Sequence, residues 1–167
     1  MGANLVTPSS SMTCACASLR RASRAVGHLY DLVLAPQNLK TTQFLLLLAI
    51  SESAPIAHCD LARRFIASEE TFSRRLASAR RAGWVEMTID ARRRRIYCLS
   101  PEGRRVLDAA TPNWERAQER LRQQLGDTDW MALVELTERV THAALRAERA
   151  PRRNSPPSSS SMLSEVA

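Results

Sequence analysis

Leu19, Ala22, Val26, Leu29 and Val33 recur at steps of three and four, the spacing of one helix face. They predict a helix over about residues 18–35 that stops before Pro36. A second helix is expected from Thr41 or Thr42, each a good N-cap, to about Ser51. It is apolar nearly all round from Phe44 to Ile50, so it belongs at the buried centre of a small domain. Ala54-Pro55-Ile56 reads as a short extended link. Asp60 is placed to cap a short helix through Phe65, and Ser68 to cap another. In that last helix Glu69 and Glu70 suit the first turn, and Phe72, Leu76 and Ala79 share a face. Gly83 stands where a left-handed C-cap would end it.

The pattern then changes period. Residues 84–89 read as a strand, 90–94 as a polar connection and 95–99 as the returning strand. Ser100-Pro101-Glu102 is a helix start, with a cap, a proline at the first position and an acid next. A long helical region follows to about Leu125, with Pro112 expected to kink or divide it. Gly126 closes it. Asp127 or Thr128 caps a last helix to about Ala147, with Trp130, Leu133, Leu136, Val140 and Leu145 as apolar positions. Residues 1–11 and the Pro- and Ser-rich residues 151–167 are expected to be disordered.

Charge adds a partner to this outline. The net value is +7, and between Asp60 and Arg105 twelve arginines face six acids, so nearly all the excess lies there. A polyanion is the natural complement. No apolar run approaches the ~18 residues of a membrane span. No secretory signal is visible, so the cytoplasm is the expected compartment, with Cys14, Cys16, Cys59 and Cys98 mostly reduced. Enzyme motifs are missing: there is no Gly-rich phosphate loop, nucleophile elbow or HExxH. No cofactor or metal is expected, because Cys14-Ala15-Cys16 has no second ligand pair at a recognisable spacing.

Helix, helix, short link, helix, helix, hairpin is the order of a winged helix-turn-helix. The runs DLARRF (60–65), SEETFSRRLASARRAGWVE (68–86) and DARRRRIYCLSPEGRRVL (90–107) closely resemble the multiple antibiotic resistance regulator (MarR) family. The resemblance covers roughly residues 19–140. It implies a mainly α fold with a small β-hairpin wing and a helical dimerisation arm. Residues 12–150 would form that fold, with the DNA-binding part at about 41–100 and the arm at about 18–35 and 100–147. It also implies an obligate homodimer on a pseudo-palindromic operator in double-stranded DNA. Many members change affinity when a small-molecule effector binds between arm and winged domain, and some respond to cysteine oxidation. Two features depart from the family. Asp-Arg-Arg often precedes the second wing strand, but here Ala91 takes the acid's place and Asp90 lies one residue early. Glu69 and Glu70 open the reading helix, where small polar or basic residues are usual.

The candidate DNA contacts follow. Thr71, Ser73, Arg74 and Arg75 lie opposite or beside the apolar face of their helix. Such a helix needs short hydroxyls for phosphates and bases, and arginine for guanine O6 and N7. Glu70 can accept from cytosine N4, whereas helix-dipole compensation suffices for Glu69. Arg92, Arg93, Arg94 and Arg95 form a cationic hairpin tip suited to phosphates or a narrow minor groove. Cys14 and Cys16 are the candidate redox pair. The expected function is a sequence-specific repressor released by a small molecule. A redox-sensing regulator, a nonspecific architectural DNA-binding protein and a winged protein-interaction module are the alternatives.

Overall fold

A computed structural model describes residues 14–65 and 69–149. The two terminal segments expected to be disordered, and Ser68 with its capping role, lie outside the described residues. Helix α1 spans Ala15–Leu34 and so begins three residues before the expected start at residue 18. Alanine-rich sequence propagates a helix without needing a buried face, and all the added residues are exposed. A short turn over Ala35–Gln37 leads to α2, Thr41–Ser53.

Thr41 is the first helical residue of α2 rather than its cap. Its N–H and its hydroxyl each donate to Asp31 Oδ1 at 2.7 Å, so the capping acceptor comes from α1. The bond from the Thr41 N–H first, then that from its hydroxyl, and the ammonium of Lys40 hold the Asp31 carboxyl below its ordinary range. Lys40 N–H in turn donates to Gln43 Oε1 at 2.8 Å.

Strand β1 (Ile56–Ala57) runs straight into α3 (His58–Phe65), which therefore starts two residues before Asp60. Asp60 sits inside the first turn and pairs with Arg63 instead of capping. Helix α4 (Glu69–Arg81), strands β2 (Val85–Ile89) and β3 (Arg95–Leu99), and helix α5 (Pro101–Leu125) follow. The sheet is antiparallel in the order β1-β3-β2. Leu34 of α1, Phe44, Leu47 and Ile50 of α2, Leu61 of α3 and Phe72 of α4 are sealed from solvent together. Trp114 of α5 packs its ring on Phe44, with centroids 5.4 Å apart, and on Tyr30, at 6.4 Å, inside its own protomer. Burial raises the pKa of the Tyr30 hydroxyl, which donates to Gln118.

Pro112 does not divide α5, which is one helix from Pro101 to Leu125. A proline there strips the Asp108 carbonyl of its helical partner. Asp108 and Pro112 are both exposed, so water can serve that carbonyl.

The chain divides into two compact units between Leu121 and Arg122, near the end of α5. In the second unit Gly126, at φ +79°, ends α5 in the left-handed region, and Arg122 Nε donates to Asp127 Oδ1 at 2.7 Å. Helix α6 (Asp127–Arg149) carries acids in its first turn and arginines in its last, as its dipole favours. None of its residues is buried; Met131, Leu133, Val134 and Leu136 are exposed.

Candidate nucleic-acid interface

Helix α4 is positioned by its apolar face. Phe72, Leu76 and Ala79 are buried, and Phe72 stacks on Phe65 with centroids 5.7 Å apart and meets His58 edge-on at 5.4 Å. The helix ends as Gly83 predicts. At φ +76° Gly83 donates to Arg80 O at 2.9 Å, and Trp84 N–H reaches back to Ala79 O at 3.0 Å.

The opposite face carries the candidate reading residues. At about 100° per residue, Glu70 and Arg74 point away from the core. Both are largely exposed, and Arg74 Nη2 lies 3.7 Å from Glu70 Oε1. Exposed Arg75 and half-buried Thr71 share one flank, while half-buried Ser73 lies on the other. The structure therefore brings Glu70 with Arg74 and Thr71 with Arg75, and sets Ser73 apart.

The wing is fixed by Asp90. Its Oδ1 accepts from the backbone N–H of Arg92 at 2.9 Å and of Arg94 at 2.8 Å, and its Oδ2 accepts from Arg94 Nε at 2.8 Å. The Arg94 amide, then its guanidinium and the Arg92 amide, hold this carboxyl below its ordinary range. Arg93 N–H closes the turn on Asp90 O at 2.9 Å, and Arg93 itself is left-handed at φ +59°. This is a three-residue hairpin loop with its last residue in the left-handed region. The acid lying one residue early still orients a wing arginine, and that arginine is Arg94. The four cations are thus not equivalent. Arg92 and Arg93 ride the turn, Arg94 is tied back, and Arg95 belongs to β3 opposite Ile89.

The base of the hairpin is locked to α5 by a device that periodicity does not reveal. Ser100 N–H donates to Trp84 O at 3.0 Å, its hydroxyl donates to Gly83 O at 2.5 Å, and Gly103 N–H donates to Ser100 Oγ at 2.9 Å. The one local hint is the Ser-Pro-Glu-Gly run itself.

Elsewhere, Cys14 and Cys16 are exposed at the start of α1, Cys59 is exposed and Cys98 is half-buried. Among the described residues no three His, Cys, Asp or Glu side chains gather as a metal site. No described helix is long and apolar enough to cross a membrane.

No family model and no curated protein matches this chain. Solved structures do. The transcriptional regulator MosR of M. tuberculosis is 31% identical over 82% of this chain and 99% of its own, with a TM-score of 0.72. A MarR-family transcriptional regulator from Rhodococcus sp. RHA1 is 19% identical over 80% of this chain and 97% of its own, with a TM-score of 0.68. This chain belongs to the MarR family. MosR in complex with DNA also matches this MarR-family chain, at 32% identity over 72% of it and 98% of the MosR chain, with a TM-score of 0.57. The PcaV regulator of Streptomyces coelicolor, in complex with its natural ligand, shares the fold at 19% identity, 83% and 99% coverage and a TM-score of 0.73. The MarR winged-helix fold and a role in transcriptional regulation are thereby established for the chain.

Proposed function

We propose that this MarR-family chain is a cytoplasmic, sequence-specific DNA-binding repressor and not an enzyme. It works as a homodimer on a pseudo-palindromic operator and is released by a small-molecule effector. One observation carries the reading: the exposed face of α4 centred on Arg74 and the Asp90-pinned arginine wing belong to the same winged unit. Helix α4 enters the major groove, where Arg74 and Arg75 donate to guanine O6 and N7, and Thr71 and Ser73 serve phosphates and bases. Glu70 lies within reach of Arg74, so the pair suits a C·G base pair, the carboxylate accepting from cytosine N4 while the guanidinium serves guanine. Arg92, Arg93, Arg94 and Arg95 follow the backbone or enter the minor groove. The DNA complex of MosR supports the partner, and the ligand complex of PcaV supports an effector.

Dimerisation is supported by apolar side chains left in solvent in each unit. Leu32 of α1 is 60% exposed, and on α6 Met131 is 67% and Leu136 56% exposed. Truncation from Thr128 onward should abolish dimerisation and operator binding together; tight operator binding by a proven monomer overturns the dimer.

Selection of binding sites from random DNA at fixed moderate salt tests the main reading. A defined two-fold motif supports it. Retention of all sequences alike points to an architectural binder, and no retention to a protein-interaction module. A second switch has its own support, since Cys14 at the N-cap of α1 and Cys16 on its first turn are both exposed, where an oxidant can reach them.

A further inference from the structure

Ile89 ends β2 and is 66% exposed. It shares a sheet face with Val85, which is buried, and Met87, which is half-buried, because alternate strand residues point the same way. An apolar stripe thus runs from the core towards the wing tip and ends on a bare isoleucine. Its cross-strand partner is Arg95, and the next residue is Asp90, whose carboxylate fixes the turn bearing Arg92 and Arg93. So exposed a side chain adds little to the core of the unit. Whatever covers it must be apolar at Ile89 and anionic a few ångströms away. The minor groove of DNA has that make-up, with deoxyribose walls between phosphate rims, and minor-groove binders combine cationic with apolar side chains.

We propose that Ile89 seats against the deoxyribose wall of the minor groove beside the wing arginines and acts as an uncharged positioning contact. This rests on the DNA-binding reading of the preceding section. A narrow groove brings both walls onto the side chain, so Ile89 makes affinity depend on groove width at base pairs that no side chain reads.

The test uses the full chain and its Ile89→Ser and Ile89→Val variants on the operator recovered by selection, titrated by fluorescence anisotropy across a salt series. Ile89→Ser should lose roughly five- to twentyfold in affinity while keeping the wild-type salt slope, since no charge is removed. Ile89→Val should keep most of the affinity, and all three should melt alike. Exchanging A·T for G·C pairs beneath the wing should weaken the wild type more than Ile89→Ser. Equal operator affinity for wild type and Ile89→Ser overturns the proposal while leaving the DNA-binding reading intact. A wild type that retains no sequence overturns both.

Discussion

Gly103 lies directly against the backbone of Trp84: a Cβ at position 103 would stand 2.0 Å from the Trp84 carbonyl oxygen. That oxygen also accepts the Ser100 N–H, so it cannot retreat without breaking the joint between hairpin and α5. Gly103→Ala should destabilise the fold by about 3 kcal/mol or more, read as a shifted urea midpoint. Ser100→Ala, which removes the cap on Gly103 N–H and the hydroxyl's bond to Gly83 O, should cost about 1–2 kcal/mol. A Gly103→Ala protein as stable as wild type would refute the close approach.

The Asp31–Thr41 bonds give stability a pH dependence with a definite sign. The Asp31 carboxyl titrates below its ordinary value in the folded chain. Its contribution is therefore complete above the ordinary aspartate pKa and fades as pH falls through the lowered one. Asp31→Asn, which keeps an acceptor oxygen but loses the charge that strengthens both bonds and attracts Lys40, should be less stable than wild type by about 0.5 kcal/mol near neutral pH. The gap should close as pH drops below roughly 4. Denaturant titrations at a series of pH values check this; a gap that widens in acid contradicts it.

Reading helix and wing should fail differently. Arg74→Ala or Arg75→Ala should weaken the selected operator by about 1–3 kcal/mol and relax preference at one symmetric pair of positions. Arg92→Ala should weaken all sequences similarly and lower the salt slope by about one unit. Identical profiles for the two sets would abolish the division.

Arg93 separates stability from function. Its left-handed backbone at φ +59° is costly for a residue with a Cβ. Arg93→Gly should relieve about 1 kcal/mol of that cost and raise the melting temperature, while weakening DNA binding through the lost cation. A variant that binds DNA as wild type does would show that Arg93 is not a contact.

The thiol switch is tested by the Cys14→Ser, Cys16→Ser double variant. With a small-molecule effector in control, this variant keeps both operator affinity and its regulation in cells. If peroxide releases the wild type from DNA and leaves the double variant bound, oxidation is the switch instead.

Much of the fold is legible in one dimension because short-range pattern decides it. Phe72, Leu76 and Ala79 mark the buried face of α4, Gly83 its end, and Ser100 with Pro101 the start of α5. Two misplacements share one cause: the deciding group lies outside the local window. Asp31 caps α2 from ten residues away, and β1 feeds α3 before Asp60 can cap it. Solvent at Asp108 and Pro112 lets α5 pass undivided through a proline that the sequence alone reads as a kink or a division. At the wing, strand alternation already sets Arg95 apart from Arg94, but the separate places of Arg92, Arg93 and Arg94 follow only from the turn and the bonds to Asp90. DNA-contact roles were inferred from residue type and position, and the titrations above test them.

A hairpin pinned at its tip by Asp90 and at its root by Ser100 and Gly103 is braced at both ends. Its strands are five residues each, about 17 Å of extended chain. The wing is in effect a ruler of set length measured from the end of α4. On the proposed reading, the offset between the groove that α4 enters and the place the tip touches is then written into the number of strand residues. In the proposed dimer, adjustment to a differently spaced operator then falls to the contact between subunits rather than to the braced wing.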